Sequence, residues 1–293
     1  MDHKTIVYIW DMDETLILLK SLINGTYAQC FHGLKDVQRG VQIGKTWENY
    51  ILDVCDQSFF YEQIENCNQP FLDVFKHYDD GRDLSDYNFS LDEFGPLADD
   101  INKRKLAYRH RLIAHKYKKG LRKILDQNMT RSWESLYEET DFFTNNWHSS
   151  ARDCLEQCSG TRSHVNLLVT SGSLIPSLVK CLLFQLDDLI SYENVYSSWE
   201  VGKLQCFTWI KERFSDQNIQ FCVIGDGWEE CEAAQSMKWP FVQVDPRPGS
   251  SHCFPGLNVS TLGHYLAVIY DRTEKGTDET AQQDKTPATI YRL

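Results

Sequence analysis

The sequence predicts an α/β protein, a parallel β-sheet wrapped by helices and interrupted after its first strand by a long helical insertion. Three observations carry this. Residues 5–10, 164–170, 194–197, 221–225 and 241–244 have the length and apolar character of buried strands. Helical patterns at 174–186, 203–214 and 228–237 separate the last four, and such alternation calls for parallel pairing. Polar groups also gather where these strands end, and open parallel sheets bind ligands at their carboxyl edges.

The first strand runs straight into Asp11-Met12-Asp13-Glu14-Thr15. Desolvating carboxylates at the end of an apolar run is costly, so Asp11 and Asp13 imply a cation or a proton-transfer role. A polar, aromatic, helix-like zone follows as far as about residue 160. Within it, 79–100 is acidic and rich in Gly, Ser, Asn and Pro, as in a long surface loop. Residues 101–125 place Leu106, Leu112, Ile113, Tyr117, Leu121 and Ile124 at near-helical spacing. A further helix is expected over 132–155, with Ser132 as its N-cap. After the strand 164–170 comes Ser-Gly-Ser, and Ser173 can cap a helix that carries Pro176 in its first turn. From Asp271 the chain is polar and expected to be disordered. The domain reading is therefore a catalytic core of 1–20 with 161–270, a helical insertion of 21–160, and a polar tail of 271–293.

Composition narrows the partners. A net charge of −12 excludes a basic face for nucleic acid. No apolar stretch is long enough for a membrane span, and the N-terminus enters its strand with no room for a signal peptide. The ten cysteines contain no C-x-x-C pair, and Cys181, Cys206 and Cys222 lie in apolar segments. Reduced, packing thiols in a cytosolic or nuclear protein are expected. The lysines and arginines of 104–111 and 116–119 read as a solvated helix face, with a contact for an acidic phosphopeptide as the alternative. Trp47, Trp133, Trp147, Trp199 and Trp209 read as core.

On a parallel sheet four polar groups converge at one edge: Asp11, Asp13 and Thr15; Thr170, Ser171 and Gly172; Lys203; and Asp226 with Glu229 and Glu230. Together they make chemical sense. A carboxylate can attack phosphorus, a hard cation takes oxygen ligands, and hydroxyls, amides and a lysine neutralise phosphoryl charge. Glu229 and Glu230 could instead simply favour a helix N-terminus.

The order apolar strand–DMDET, strand–Thr170, Lys203, strand–GDGWEE resembles the four motifs of the haloacid dehalogenase superfamily. NGTYAQ (24–29), DDGRDLSDYNF (79–89), LLVTSGSLIPSLVK (167–180) and IGDGWEECEAA (224–234) are similar to the eyes absent family of aspartate-based protein tyrosine phosphatases, especially its plant homologues. The resemblance implies a haloacid-dehalogenase-like Rossmannoid sheet with a helical-bundle insertion, and an Mg²⁺-dependent phosphatase. It makes Asp11 the nucleophile and a metal ligand, and Asp13 the general acid, whose carbonyl also ligates Mg²⁺. Thr15 orients the loop, Thr170 binds the phosphoryl group beside Ser171 and Gly172, and Lys203 neutralises charge. Asp226 is the second metal carboxylate. Glu230 supports it, with Glu229 as the alternative.

The implied substrate is a phosphotyrosine protein. Phosphoserine, a small phosphorylated metabolite and a silent protein-binding module are the other readings. A transcription-factor partner is implied by the animal members alone, which also carry three threonines where this chain has Thr170-Ser171-Gly172. The insertion is expected to stand over the sheet edge as a cap, with Phe59, Phe60, Tyr61, Tyr78, Tyr87 and Phe89 available to flank an aryl ring.

Overall fold

A computed structural model of the chain describes residues 5–159, 164–215, 218–245, 258–275 and 290–292. Strands β1 (Thr5–Trp10), β2 (His164–Thr170), β3 (Val195–Ser197), β4 (Ile219–Gly225), β5 (Phe241–Gln243) and β6 (Ile290–Arg292) form one sheet in the order β3-β2-β1-β4-β5-β6. Every pairing is parallel. β1 is central, and its side chains alternate between two cores, as the strand period of two dictates. Val7 and Ile9 face helices α9 (Lys203–Arg213) and α10 (Trp228–Met237), meeting Phe207, Ile210 and Ala234. Tyr8 and Trp10 face the other way, towards α8 (Leu174–Leu183).

That second core is shared with the insertion. Between β1 and β2 the chain forms α1 (Lys20–Ile23), α2 (Thr26–Gln29), α3 (Val37–Ser58), α4 (Tyr61–Ile64), α5 (Asp100–Lys119), α6 (Gln127–Phe143) and α7 (Trp147–Ser159). Trp47 and Cys55 of α3, Trp133 of α6 and Leu155 of α7 are buried in one cluster with Leu178 and Phe184. The bundle thus lies largely against a face of the sheet and α8, where its apolar helix stripes find partners. Only part of it approaches the sheet edge where a cap would stand.

Several expectations need correction. The helix expected over 132–155 is two helices, since α6 starts at Gln127, where the Asp126 carboxylate accepts from Met129 N at 2.8 Å. Asn145 and Asn146 break it with φ of 58° and 60°, a conformation asparagine tolerates better than most residues. α5 stops at Lys119 because Gly120 turns away with φ 77°. Ser173 occupies the N-cap of α8 without a side-chain capping bond, and Asn68 Oδ1 accepts from Leu174 N at 2.8 Å instead. Arg109 is not on a solvated face: it is fully buried, bonded to Asp92 at 2.8 Å and to Gln63 at 2.9 and 3.0 Å. It ties down the loop that joins α4 to α5.

The polar tail is ordered in two places. α11 (Val259–Lys275) continues past Asp271, and Ile290–Arg292 adds β6 to β5, pairing an edge that would otherwise expose backbone groups. Residues 276–289 lie outside the described set. The nine described cysteines are all unbridged, as expected. Among the described residues no helix is long and apolar enough to cross a membrane.

Candidate active site at the carboxyl edge of the sheet

The strand order reverses direction across β1, with β2 and β3 on one side and β4 and β5 on the other. Polar groups leaving β1 and β4 therefore meet at a topological switch point. Asp11 is placed by continuation of the ladder, its N–H donating to Ile224 O at 2.9 Å. The chain then turns tightly: Leu16 and Ile17 N donate to Met12 O, and Glu14 takes φ 63°. Glu14 is half-buried, and its carboxylate accepts from Leu19 N and Ser21 N at 3.1 Å each, securing the turn to the start of α1.

Around Asp11 a charged cluster closes. Lys203 Nζ donates to Asp11 Oδ1 at 2.6 Å and to Glu230 Oε2 at 2.7 Å, and all three residues are buried. Thr15 Oγ1, also buried, lies 3.4 Å from Asp11 Oδ2 and 3.3 Å from Asp226 Oδ1, joining the two motifs. Trp147 of the insertion holds the Thr15 backbone, Nε1 donating to its carbonyl at 3.1 Å. Glu230 also accepts from Gly227 N. A Cβ on Gly225 would lie 2.6 Å from Glu230 Oε1 and one on Gly227 3.0 Å, so the glycines flanking Asp226 make room for this carboxylate.

Three carboxylates facing one ammonium leave the cluster short of positive charge. Burial pushes the Asp11 carboxyl up, against the pull of Lys203. Burial likewise pushes Asp226 up to about 6, helped by the Glu230 and Glu14 carboxylates. For Lys203 burial works to lower the pKa, but Asp11 and Glu230 outweigh it and hold the ammonium above its usual range. Oxygens of Asp11, Asp226 and Glu230 lie within 4.8 Å of one another. An all-oxygen, electron-rich set of that span suits a hard divalent cation. Both oxygens of Glu230 and both of Asp11 already accept hydrogen bonds, whereas Asp226 accepts from Thr15 through Oδ1.

A second set of polar groups lies at the end of β2. Thr170 is buried, its Oγ1 accepts from Gly172 N at 3.2 Å, and its carbonyl accepts from Ser198 N at 2.8 Å. Ser171 is exposed and donates to Glu229 Oε2 at 3.2 Å, which separates Glu229 from the buried cluster that Glu230 joins. Asn68 and Pro70 of the insertion reach this edge, bonding Ser197 Oγ at 3.3 Å and Ser197 N at 2.8 Å.

Sequence reasoning missed Lys180. Its Nζ donates to both Asp13 oxygens, at 2.8 and 2.9 Å, from the last turn of α8. The available signal was Asp13 itself, a carboxylate beside an apolar loop in need of a cation. The aromatic expectations also change. Phe59 is in the core, while Phe89 packs against both Phe60 and Tyr87, with Tyr87 also edge-on to Tyr108. Trp47, Trp133 and Trp147 are buried as expected, but Trp199 is 68% exposed beside the site. Cys206 and Cys222 are packing residues, their thiols pushed up to about 12 by burial.

No protein-family model matches the chain. Among solved structures, a 2-haloacid dehalogenase from Pseudomonas syringae pv. Tomato aligns over 90% of this chain and 99% of that one, at 14% identity and a TM-score of 0.39, too loosely to assign any residue. Curated relatives are much nearer in sequence. Protein phosphatase EYA1 of Mus musculus is 34% identical over 280 residues, covering 90% of this chain, and Protein phosphatase eya of Drosophila melanogaster is 33% identical over 275 residues, covering 87%. The chain spans only 45% and 36% of the length of those two animal proteins. Protein phosphatase EYA of Arabidopsis thaliana is 57% identical over 281 residues, 92% of each chain. On that identity and coverage, the chain belongs to the EYA family of protein phosphatases.

Proposed function

We propose that this protein hydrolyses phosphotyrosine in protein substrates through an aspartyl-phosphate on Asp11, with Mg²⁺ as its cation. One observation carries the reading: a buried carboxylate at the switch point has one oxygen held by a buried lysine, and a second carboxylate lies two residues along the same turn. Lys203 occupies Asp11 Oδ1, leaving Oδ2, with its long contact to Thr15, to attack phosphorus. As the Asp11–phosphorus bond forms, the bond from phosphorus to the tyrosyl oxygen breaks. Asp13 gives that oxygen its proton and then takes one from the water that hydrolyses the acyl-phosphate, releasing inorganic phosphate. Phenolate, with a pKa near ~10, needs less help to leave than an alkoxide, which favours tyrosine.

Thr170 and the adjacent backbone amides suit the phosphoryl oxygens, and Ser171 and Gly172 line the same turn. Lys203 stays charged beside Asp11 and Glu230 and faces the oxygens as charge develops. Mg²⁺, held by Asp11, Asp226 and the Asp13 carbonyl, would neutralise phosphoryl charge and offset the excess of buried carboxylates. The free cysteines suit a reducing cytosolic or nuclear compartment.

The test is turnover of p-nitrophenyl phosphate and of phosphotyrosine peptides. EDTA abolishes it and Mg²⁺ restores it, and Asp11→Asn lowers kcat by roughly 10³ or more without unfolding the protein. Full activity of Asp11→Asn, or sensitivity to thiol alkylation instead, overturns the mechanism.

A further inference from the structure

We infer that the cleft opening beside Lys203 is a peptide subsite, one that receives the chain flanking the phosphorylated residue and prefers a lysine or arginine there. The inference rests on the phosphotyrosine phosphatase reading above. The cleft has a volume of about 580 Å³ and shares Ser171 and Lys203 with the catalytic edge, so whatever enters it lies alongside the phosphoryl group. Its other walls include Trp199, Leu204, Glu229 and Glu232.

Exposed apolar side chains mark it out. Among the described residues nine large hydrophobic side chains are exposed, and three of them, Trp199 at 68%, Val201 at 37% and Leu204 at 46%, fall in one six-residue stretch, of which Trp199 and Leu204 line this cleft. Single exposed hydrophobics are ordinary on a surface, but a group around a concave site marks a contact. Tryptophan is enriched among the residues that anchor such contacts.

The turn that carries Trp199 is already set. Ser198 N and Oγ donate to Thr170 O at 2.8 and 3.0 Å, and Gly202 N closes on Ser198 O at 2.8 Å. Gly202, with φ 78°, supplies the bend that leads into Lys203. An indole presented on a fixed turn loses little freedom on binding, which favours recognition. The same hydrogen bonds couple the turn to Thr170, so the peptide and phosphoryl subsites share one frame.

Charge selects the occupant. The lining lysine, Lys203, is consumed by Asp11 and Glu230, whereas the lining Glu232 is exposed, as is Glu200 next to Trp199 in the chain, and Glu229 contacts only the Ser171 hydroxyl among the hydrogen bonds of the site. With a net charge of −12 over the whole chain, an acidic flank is repelled and a basic one is drawn in.

The experiment is a matrix of four phosphopeptides, phosphotyrosine or phosphoserine each with arginine or glutamate flanks, measured with the wild type and with Trp199→Ala, Trp199→Phe and Glu232→Gln. For the wild type, kcat/KM is expected to be at least several-fold higher for arginine flanks, with the difference shrinking at high salt. Trp199→Ala is expected to raise KM for peptides about tenfold with kcat nearly unchanged, and Trp199→Phe to recover most of it. Glu232→Gln should narrow the arginine preference. Equal turnover of both flanks by the wild type, or a Trp199→Ala defect of the same size on p-nitrophenyl phosphate, overturns the subsite. Faster turnover of phosphoserine with the flank preference intact overturns the tyrosine reading instead and leaves the subsite standing.

Discussion

Replacing Lys203 by methionine tests the buried cluster most directly. The side chain of Lys203 is 3% exposed and holds Asp11 at 2.6 Å and Glu230 at 2.7 Å, with Asp226 joined through Thr15. Methionine keeps much of the volume and removes the only ammonium in the cluster. Taking one partner from a buried ion pair costs about 3–5 kcal/mol, because a charge is left uncompensated. The carboxylates can relieve that cost by taking up protons, and this sets the pH dependence. Burial already holds Asp11 and Asp226 above their ordinary value of 3.8, Asp226 at about 6. At these two sites the folded state therefore binds more protons than the unfolded chain between about pH 4 and the raised folded values, so their contribution to stability falls as pH rises through that window. Loss of Lys203 raises these carboxyls further and steepens the fall. Urea unfolding with EDTA present should show a deficit for Lys203→Met of about 3–5 kcal/mol at pH 8 and a clearly smaller one at pH 5. An equal deficit at both pH values, or none at pH 8, would falsify the claim that an uncompensated carboxylate cluster sits at this edge.

Divalent metal should stabilise the protein by linkage. Mg²⁺ at 100 times its dissociation constant contributes about 2.7 kcal/mol, seen as a rise in Tm, and Asp226→Asn should erase that rise while the metal-free fold survives. A metal-induced shift that persists in Asp226→Asn removes this residue from the ligand set. Lys180→Met should lower kcat roughly 10–100-fold with a smaller change in KM, because Asp13 loses the cation that holds both its oxygens, and Lys180→Arg should recover part of it. A fall in Tm with kcat unchanged would make the pair merely structural. His148 is buried, neither ring nitrogen meets a hydrogen-bond partner among the described residues, and burial lowers its pKa to about 4. Its unfolded form binds the extra proton below about pH 6.5, so stability is lost as pH falls from there towards 4, by up to about 3 kcal/mol. His148→Leu should flatten that acid limb in urea titrations, and an unchanged slope contradicts the assignment.

Much of this fold could be read along the chain, because its strongest signals are local. β1 and β2 run over the residues their apolar patterns predict, and α10 over its helical one, since a central parallel strand is buried on both faces and announces itself by composition alone. The groups that end these strands were legible for the same reason: Asp11, Thr170 and Asp226 follow apolar runs, and parallel pairing carries them to one edge. Helix ends were less legible. Asp126 rather than Ser132 starts α6, and Asn145 with Asn146 divides it from α7, because capping depends on which side chain finds the free amides. Long-range choices were decided only by tertiary structure. That Lys180 meets Asp13 across 167 residues, that Glu230 rather than Glu229 turns inward, and that Arg109 is buried against Asp92 all depend on which charge finds its counter-charge once water is removed. The insertion shows the same division. Its helical character was local, but whether its aromatics would bind a substrate or pack on one another depended on which apolar surfaces folding brought within reach, and it is Trp199 of the core, on the turn after β3, that lines the cleft.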